Sequence, residues 1–282
     1  MKIVITGASG FIGSHLRHEL GQQEENYVSA YKRGTEVPEC DVLIHCAGLA
    51  TESSDFNDLA YHEANVVLTK RVFEDFVQKG GKTFVYISSA KVYGEFSKAA
   101  VNEDSPLNPV SAYGRSKKQA EEYLQEASAN WNGTLVVLRQ SIIYGAGKVD
   151  NLTQLVRLSA KLNIWFFGGL TAHRSLCSVV TVVDFIAQSL SEGIPAGTYN
   201  LADRTALSLD DLGKHLKEHG LVRMILTFPK RTVRLLAHVF SLVGFHKFRD
   251  FMEKLENSVY LDTTKLYARW EPTRSNTFTD IL

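Results

Sequence analysis

The stretch "KIVITGASGFIGSHL", Lys2 to Leu16, decides the fold. A run rich in β-branched residues passes into a glycine-broken turn, and the turn passes into apolar residues at helical spacing. Gly7, Gly10 and Gly13 occupy the turn and the first helical positions. Glycine tolerates the positive φ of a tight turn and lets backbone amides approach an anion, while the helix start adds partial positive charge. Strand, glycine turn and helix in this order make a pyrophosphate cradle of the dinucleotide-binding kind. A plain strand-to-helix turn is the competing reading, so the rest of the chain has to decide.

Working outward, strand-like runs follow at 27–31 ("YVSAY"), 41–45 ("DVLIH"), 83–88 ("TFVYIS") and 134–139 ("TLVVLR"). Helical patterns lie near 11–20, 55–79 and 112–129. Near-continuous Val/Ile/Leu strands alternating with helices predict a parallel sheet covered on both faces. Right-handed crossovers make it an α/β, Rossmann-type doubly wound sheet. Residues 1–147, with about 178–200, read as this domain; 148–177 and 201–282 read as a smaller substrate domain with helices near 208–219 and 231–255.

The 282 residues carry equal acidic and basic counts, so no field favours nucleic acid or a charged membrane as partner. An anionic small molecule has to be held by a few local cations. Three cysteines without CxxC spacing argue against a zinc site or a disulfide framework, the histidines form no ligand pair with metal spacing, and no metal is expected. No apolar run is long enough for a membrane span, and "MKIVITGASG" lacks a signal-peptide core, so the cytoplasm is the expected compartment.

About 20 residues past the glycines an acidic side chain normally holds the adenosine ribose of NAD. Here the second strand ends in "AYKRGTE", with Lys32 and Arg33 in that place. A cationic fork suits a 2′-phosphate, which favours NADP; a solvated basic loop beside bound NAD is the alternative. Further on, "SAYGRSKKQAEEYL" (111–124) puts Tyr113 and Lys117 four apart on one helix face. A nearby ammonium lowers a phenol's pKa from near 10 and lets it exchange protons at neutral pH. "VYISSAKVYGE" (85–95) brings a serine hydroxyl, Ser89, to a strand end, and "HCAG" (45–48) supplies small residues beside a cofactor.

Taken in order, "GASGFIG", "HCAG", "SSAKVYGE", "YGRSK" and "VLRQSIIYGAG" resemble the extended short-chain dehydrogenase/reductases. Within these the chain resembles the NAD(P)-dependent epimerase/dehydratase group acting on nucleotide sugars, along nearly its whole length. The resemblance implies catalytic Ser89, Tyr113 and Lys117, and a cofactor set of Gly7, Gly10, Phe11, Ile12, Gly13, Arg33, Ala47 and Gly48 joined by Tyr113 and Lys117. It implies substrate contacts from Lys91, Asn151 and Arg174 with a nucleotide-diphosphate sugar. Family members often dimerise through a helix pair. The chain departs from the family between Arg33 and Asp41, where a third strand and its helix are missing, and at Gln140, Val180 and Arg269.

Ala90 and Lys91 stand where family dehydratases carry an acid pair, which argues against a 4,6-dehydratase. A 4-ketosugar reductase and a UDP-hexose 4-epimerase with retained NAD remain, and Arg33 tips the expectation toward the reductase. A non-catalytic NAD(P) sensor is a further alternative, disfavoured because Tyr113 and Lys117 are both present. Cys46 and Cys177 are expected to pack rather than react. The apolar, basic-flanked run at 230–255 reads as a packed helix, with interfacial membrane contact as the sharper alternative.

Overall fold

The Val- and Ile-rich runs become strands because each is buried on both sides, which suits branched side chains on a pleated surface. A computed structural model describes residues 1–32, 34–50, 56–97, 99–148, 151–193, 195–227 and 259–273. The main sheet contains β1 (Lys2–Thr6), β2 (Tyr27–Ala30), β3 (Val42–His45), β4 (Thr83–Ser89), β5 (Thr134–Gln140) and β9 (Gly197–Leu201). All are parallel, in the order β2-β1-β3-β4-β5-β9. The α/β Rossmann-type architecture is the one expected.

Helices α1 (Phe11–Gly21) and α6 (Val179–Glu192) cover one face, where Leu16, Leu20, Val182 and Ile186 meet Ile3, Ile5 and Val85. Helices α3 (Leu68–Gln78) and α4 (Ala112–Ala127) cover the other, where Val72, Phe76, Ala120 and Leu124 meet Leu43, Phe84 and Tyr86. All carbonyl ends of the strands therefore point to one edge, where ligands of such sheets bind.

The shortened connection is visible. Among the described residues of 31–41, no strand or helix links β2 to β3. Val37 and Cys40 fill that space instead, packed with Phe73 and Phe76. The Val37 N–H donates to Asp75 Oδ2 at 2.5 Å, and Lys79 Nζ donates to the Val37 carbonyl at 2.7 Å. This leaves β2 as an edge strand with Tyr27 exposed.

The helix expected over 55–79 is not continuous. Helix α2 (Asp58–His62) passes into a π-helical turn, Glu63–Val67, before α3 begins. Such turns re-aim side chains at functional sites; here the re-aimed side chain is the fully buried Asn65.

A smaller set of elements sits beyond β5. Strands β6 (Ile142–Tyr144) and β8 (Leu176–Ser178) pair, as do β7 (Ile164–Gly168) and β10 (Met224–Thr227). With α5 (Asn151–Leu162) and α7 (Leu209–Glu218) they enclose a separate apolar core around Trp165, Leu176, Leu212 and Val222. The Trp165 indole N–H donates to the Leu209 carbonyl at 2.9 Å, and α7 starts in a Ser208–Asp211 capping box. The run at 230–255 lies outside the described residues. No helix among the described residues is long and apolar enough to cross a membrane.

Candidate active site

Glycines bring the expected site residues together by letting backbones touch. Gly7, at φ +65°, follows β1 so closely that a Cβ there would lie 2.8 Å from the Ala47 nitrogen. A Cβ on Gly13 would lie 2.2 Å from the Gly7 carbonyl oxygen, so α1 starts directly on the turn. Gly10 is the N-cap of α1 and makes no side-chain cap bond, which leaves the first-turn amides of Phe11, Ile12 and Gly13 for an external anion. The "HCAG" loop lies alongside: a Cβ on Gly48 would come within 2.5 Å of Asn65 Oδ1 and 3.7 Å of Lys117 Nζ.

From Lys117 the site continues to the end of β4. Its ammonium is buried, donates to the Ile87 carbonyl at 2.8 Å, and stands 4.8 Å from the centre of the Tyr86 ring. Two residues beyond Ile87, Ser89 closes the strand, and its hydroxyl accepts the Lys91 N–H at 3.3 Å. The first turn of α4 rests on that same turn, since a Cβ on Gly114 would lie 2.6 Å from the Lys91 carbonyl oxygen. Tyr113, nearly buried and 6.4 Å from the Tyr61 ring, is thereby placed one helical turn before Lys117 and beside the Ser89 strand end. Ser88 points elsewhere, into a buried pair of Glu121 and Arg139.

Burial pulls the Lys117 ammonium from 10.5 down to about 8. From about 8 to 10.5 the unfolded chain holds a proton at Lys117 that the folded chain has released, so the contribution of this group to stability rises with pH across that window. Below about 8 the cost of the buried charge is felt in full. The urea-midpoint difference between wild type and Lys117→Met is expected to move in favour of wild type as the pH rises from about 8, since the buried cysteine thiols act equally in both proteins. A difference that stays level from about 8 to 10.5 would contradict the assignment.

The sequence profile of the NAD dependent epimerase/dehydratase family matches residues 35–202, more than half of the chain. The chain belongs to this family. It is similar to an N-acetyl-alpha-D-glucosaminyl-diphospho-ditrans,octacis-undecaprenol 4-epimerase of Escherichia coli O157:H7, 29% identical over 74% of this chain and 70% of that protein. A UDP-glucose 4-epimerase of Vibrio cholerae is 28% identical over 96% of this chain and 90% of its own. In fold, the chain matches the UDP-glucuronic acid 4-epimerase of Bacillus cereus solved with NAD, at TM-score 0.75 and 21% identity, covering 98% of this chain and 94% of that one.

The residues present fit the nicotinamide dinucleotide of the family. Between the Gly7 turn and the Ala47–Gly48 loop the backbone is closed to any side chain, and the first-turn amides of α1, with no side-chain cap, suit a pyrophosphate anion. Arg33, on which the preference for NADP rested, lies outside the described residues; its neighbour Lys32 is exposed. Other expected residues fare differently. Arg174 is buried, and its Nε has no hydrogen-bond partner among the described residues. Its backbone is engaged in a two-way bridge with Leu207 at 3.0 Å. Burial lowers its pKa to about 10. Lys91 is ion-paired with Glu95, so a sugar or diphosphate has to compete with that carboxylate. Asn151 begins α5, and its side chain lies outside the described residues. Burial pushes the Cys46 thiol up to about 12 and the Cys177 thiol well above its usual value, so neither is a ready nucleophile. Among the described residues no group of metal-ligating side chains is present.

Asn65 is the residue that reading the sequence missed. Its amide accepts the Leu49 N–H at 2.7 Å, donates to the Leu49 carbonyl at 3.1 Å and donates to Ser116 Oγ at 2.8 Å. An asparagine inside a helical pattern is a poor helix former, which was the one available signal.

Proposed function

We propose that the protein is a 4-epimerase of sugars carried on a diphosphate, with UDP-hexoses as the first substrates to test and NAD retained between turnovers. The observation that carries this reading is the buried Lys117 ammonium under Gly48, on the same helix face as Tyr113 and two residues short of the Ser89 strand end. That ammonium favours the phenolate of Tyr113, which takes the proton from a sugar hydroxyl; Ser89 donates a hydrogen bond to the same oxygen. Bound nicotinamide supplies the two-electron chemistry at the carbon. Tyr113 then returns its proton to the oxygen of the epimer. With no side chain on Gly48 above it, Lys117 would be the group to hold the nicotinamide ribose.

Arg174 supports a diphosphate. A buried guanidinium with an unpartnered Nε and no described carboxylate beside it is suited to bidentate oxygen contacts. Arg174→Met is expected to raise the substrate KM about 10- to 100-fold with a smaller change in kcat, since a charge-assisted contact contributes about 1.5–3 kcal/mol. An unchanged KM would remove Arg174 from the diphosphate site.

The sequence alone tips toward a 4-ketosugar reductase because of Arg33. Two of the relatives that span most of the chain are named 4-epimerases, and this tips the reading to the epimerase. The Lys32–Arg33 pair still favours a 2′-phosphate and keeps the NADPH reductase as the second reading. Incubation with UDP-glucose and UDP-N-acetylglucosamine, with and without NADPH, separates the two; a polyprenyl-diphosphate N-acetylglucosamine is a third arm. Epimers formed without net NADPH oxidation are expected. Stoichiometric NADPH oxidation on a UDP-4-ketohexose, which carries the carbonyl a reductase needs, with no epimer formed from the two UDP-sugars, would overturn the epimerase.

A further inference from the structure

His45 ends β3 opposite Thr6, which ends β1, and both side chains are fully buried. The imidazole Nδ1 lies 2.7 Å from Thr6 Oγ1, and the same hydroxyl oxygen accepts the Ala47 N–H at 3.1 Å. On its other edge, Nε2 lies 2.9 Å from Thr69 Oγ1. The Thr69 hydroxyl has one proton and gives it to the Asn65 carbonyl at 2.7 Å, which can only accept. Nε2 must therefore carry the ring proton and donate to Thr69. Burial, with the Lys117 ammonium nearby, pulls the ring down to about 3, so it carries only that proton and Nδ1 accepts from Thr6. The Tyr86 ring stacks on the imidazole at 5.9 Å and keeps its plane.

The direction of every bond follows: Ala47 N–H to Thr6, Thr6 to His45, His45 to Thr69, Thr69 to the Asn65 carbonyl. From Asn65 the series continues to Ser116 Oγ, and the Ser116 hydroxyl donates to the Tyr113 carbonyl at 2.8 Å. The series starts on the loop beside Gly7 and ends on the backbone of Tyr113. Both ends are backbone groups, so its role is to hold geometry and no proton travels along it.

We propose that His45, as the neutral Nε2–H tautomer, is a positioning residue that locks the Asn65 π-helical turn to the Thr6–Ala47 strand ends and so sets Tyr113 against the cofactor loop. The proposal rests on the reading of Tyr113 and Lys117 as the reacting pair. A glutamine at 45 offers one acceptor and one donor as the imidazole does, whereas a phenylalanine keeps the shape and loses both. Thr69→Val cuts the same series on the far side.

With UDP-glucose and UDP-N-acetylglucosamine as probes, His45→Phe and Thr69→Val are expected to lower kcat by about 10-fold or more, as misplacement of reacting groups does. KM and NAD affinity are expected to stay within about threefold, and His45→Gln to recover much of the loss. Long-range 15N–1H spectra of histidine-labelled protein at neutral pH are expected to show His45 protonated at Nε2 alone. A folded His45→Phe or Thr69→Val with wild-type kcat would overturn the proposal, as would a His45 protonated at Nδ1. If His45→Phe does not fold, Thr69→Val, His45→Gln and the spectra decide. Loss of kcat in Tyr113→Phe with neutral His45→Phe and Thr69→Val sinks the positioning role alone, whereas an active Tyr113→Phe sinks the reading beneath it.

Discussion

Tyr113→Phe is expected to lower kcat by about 10²- to 10⁴-fold, the range that general acid–base groups contribute. The change removes one oxygen and little else. The ring remains packed near Tyr61, Lys117 remains anchored on the Ile87 carbonyl, and Gly114 still rests on the Lys91 carbonyl. NAD affinity and substrate KM should therefore stay within about threefold, and the loss should fall on kcat. The measurement is a turnover assay on UDP-hexoses beside NAD titration by tryptophan fluorescence. A variant that retains more than about a tenth of the wild-type rate shows that another group handles the proton.

Arg139→Met is expected to cost about 3–5 kcal/mol of stability, because it strands a buried carboxylate without its cation. Arg139 Nη2 and Nε lie 2.8 Å and 3.0 Å from Glu121 Oε2, both side chains being almost wholly buried. The guanidinium also donates to the Tyr93 hydroxyl at 2.8 Å and the Glu103 carbonyl at 2.9 Å. Tyr93 in turn donates to Asn200 Oδ1 at 2.7 Å, and Glu121 accepts from Ser88. One network thus ties β4, α4, β5 and β9 under the Ser89 strand end. Replacing both members, Glu121→Leu with Arg139→Met, is expected to recover a large part of the loss, since no unpaired charge is then buried. Urea denaturation of the single and double variants reads this directly. A single-variant loss below about 1 kcal/mol would mean that water reaches Glu121.

Where residues act through near neighbours, the chain could be read directly. The β1–glycine–α1 passage, the Tyr113–Lys117 spacing and every main-sheet strand except β9 follow from periodicity and local turn chemistry, because a strand's period and a helix's turn are written within a few residues. The missing third strand was legible too, as a stretch too short to hold one. Lys91, a substrate contact by resemblance, also pairs with Glu95 four residues on, a partner that local spacing permits.

The sequence by itself determined the sheet, the glycine turn and the tyrosine–lysine pair, since each depends on backbone freedom or on spacing within one element. Only the tertiary structure decided how these parts are held. The partners of His45 come from β1 and α3, those of Asn65 from the β3 loop and α4, and those of Glu121 from β4 and β5. A buried polar group must find its partner wherever the fold brings one, and that partner's distance along the chain leaves no periodic mark.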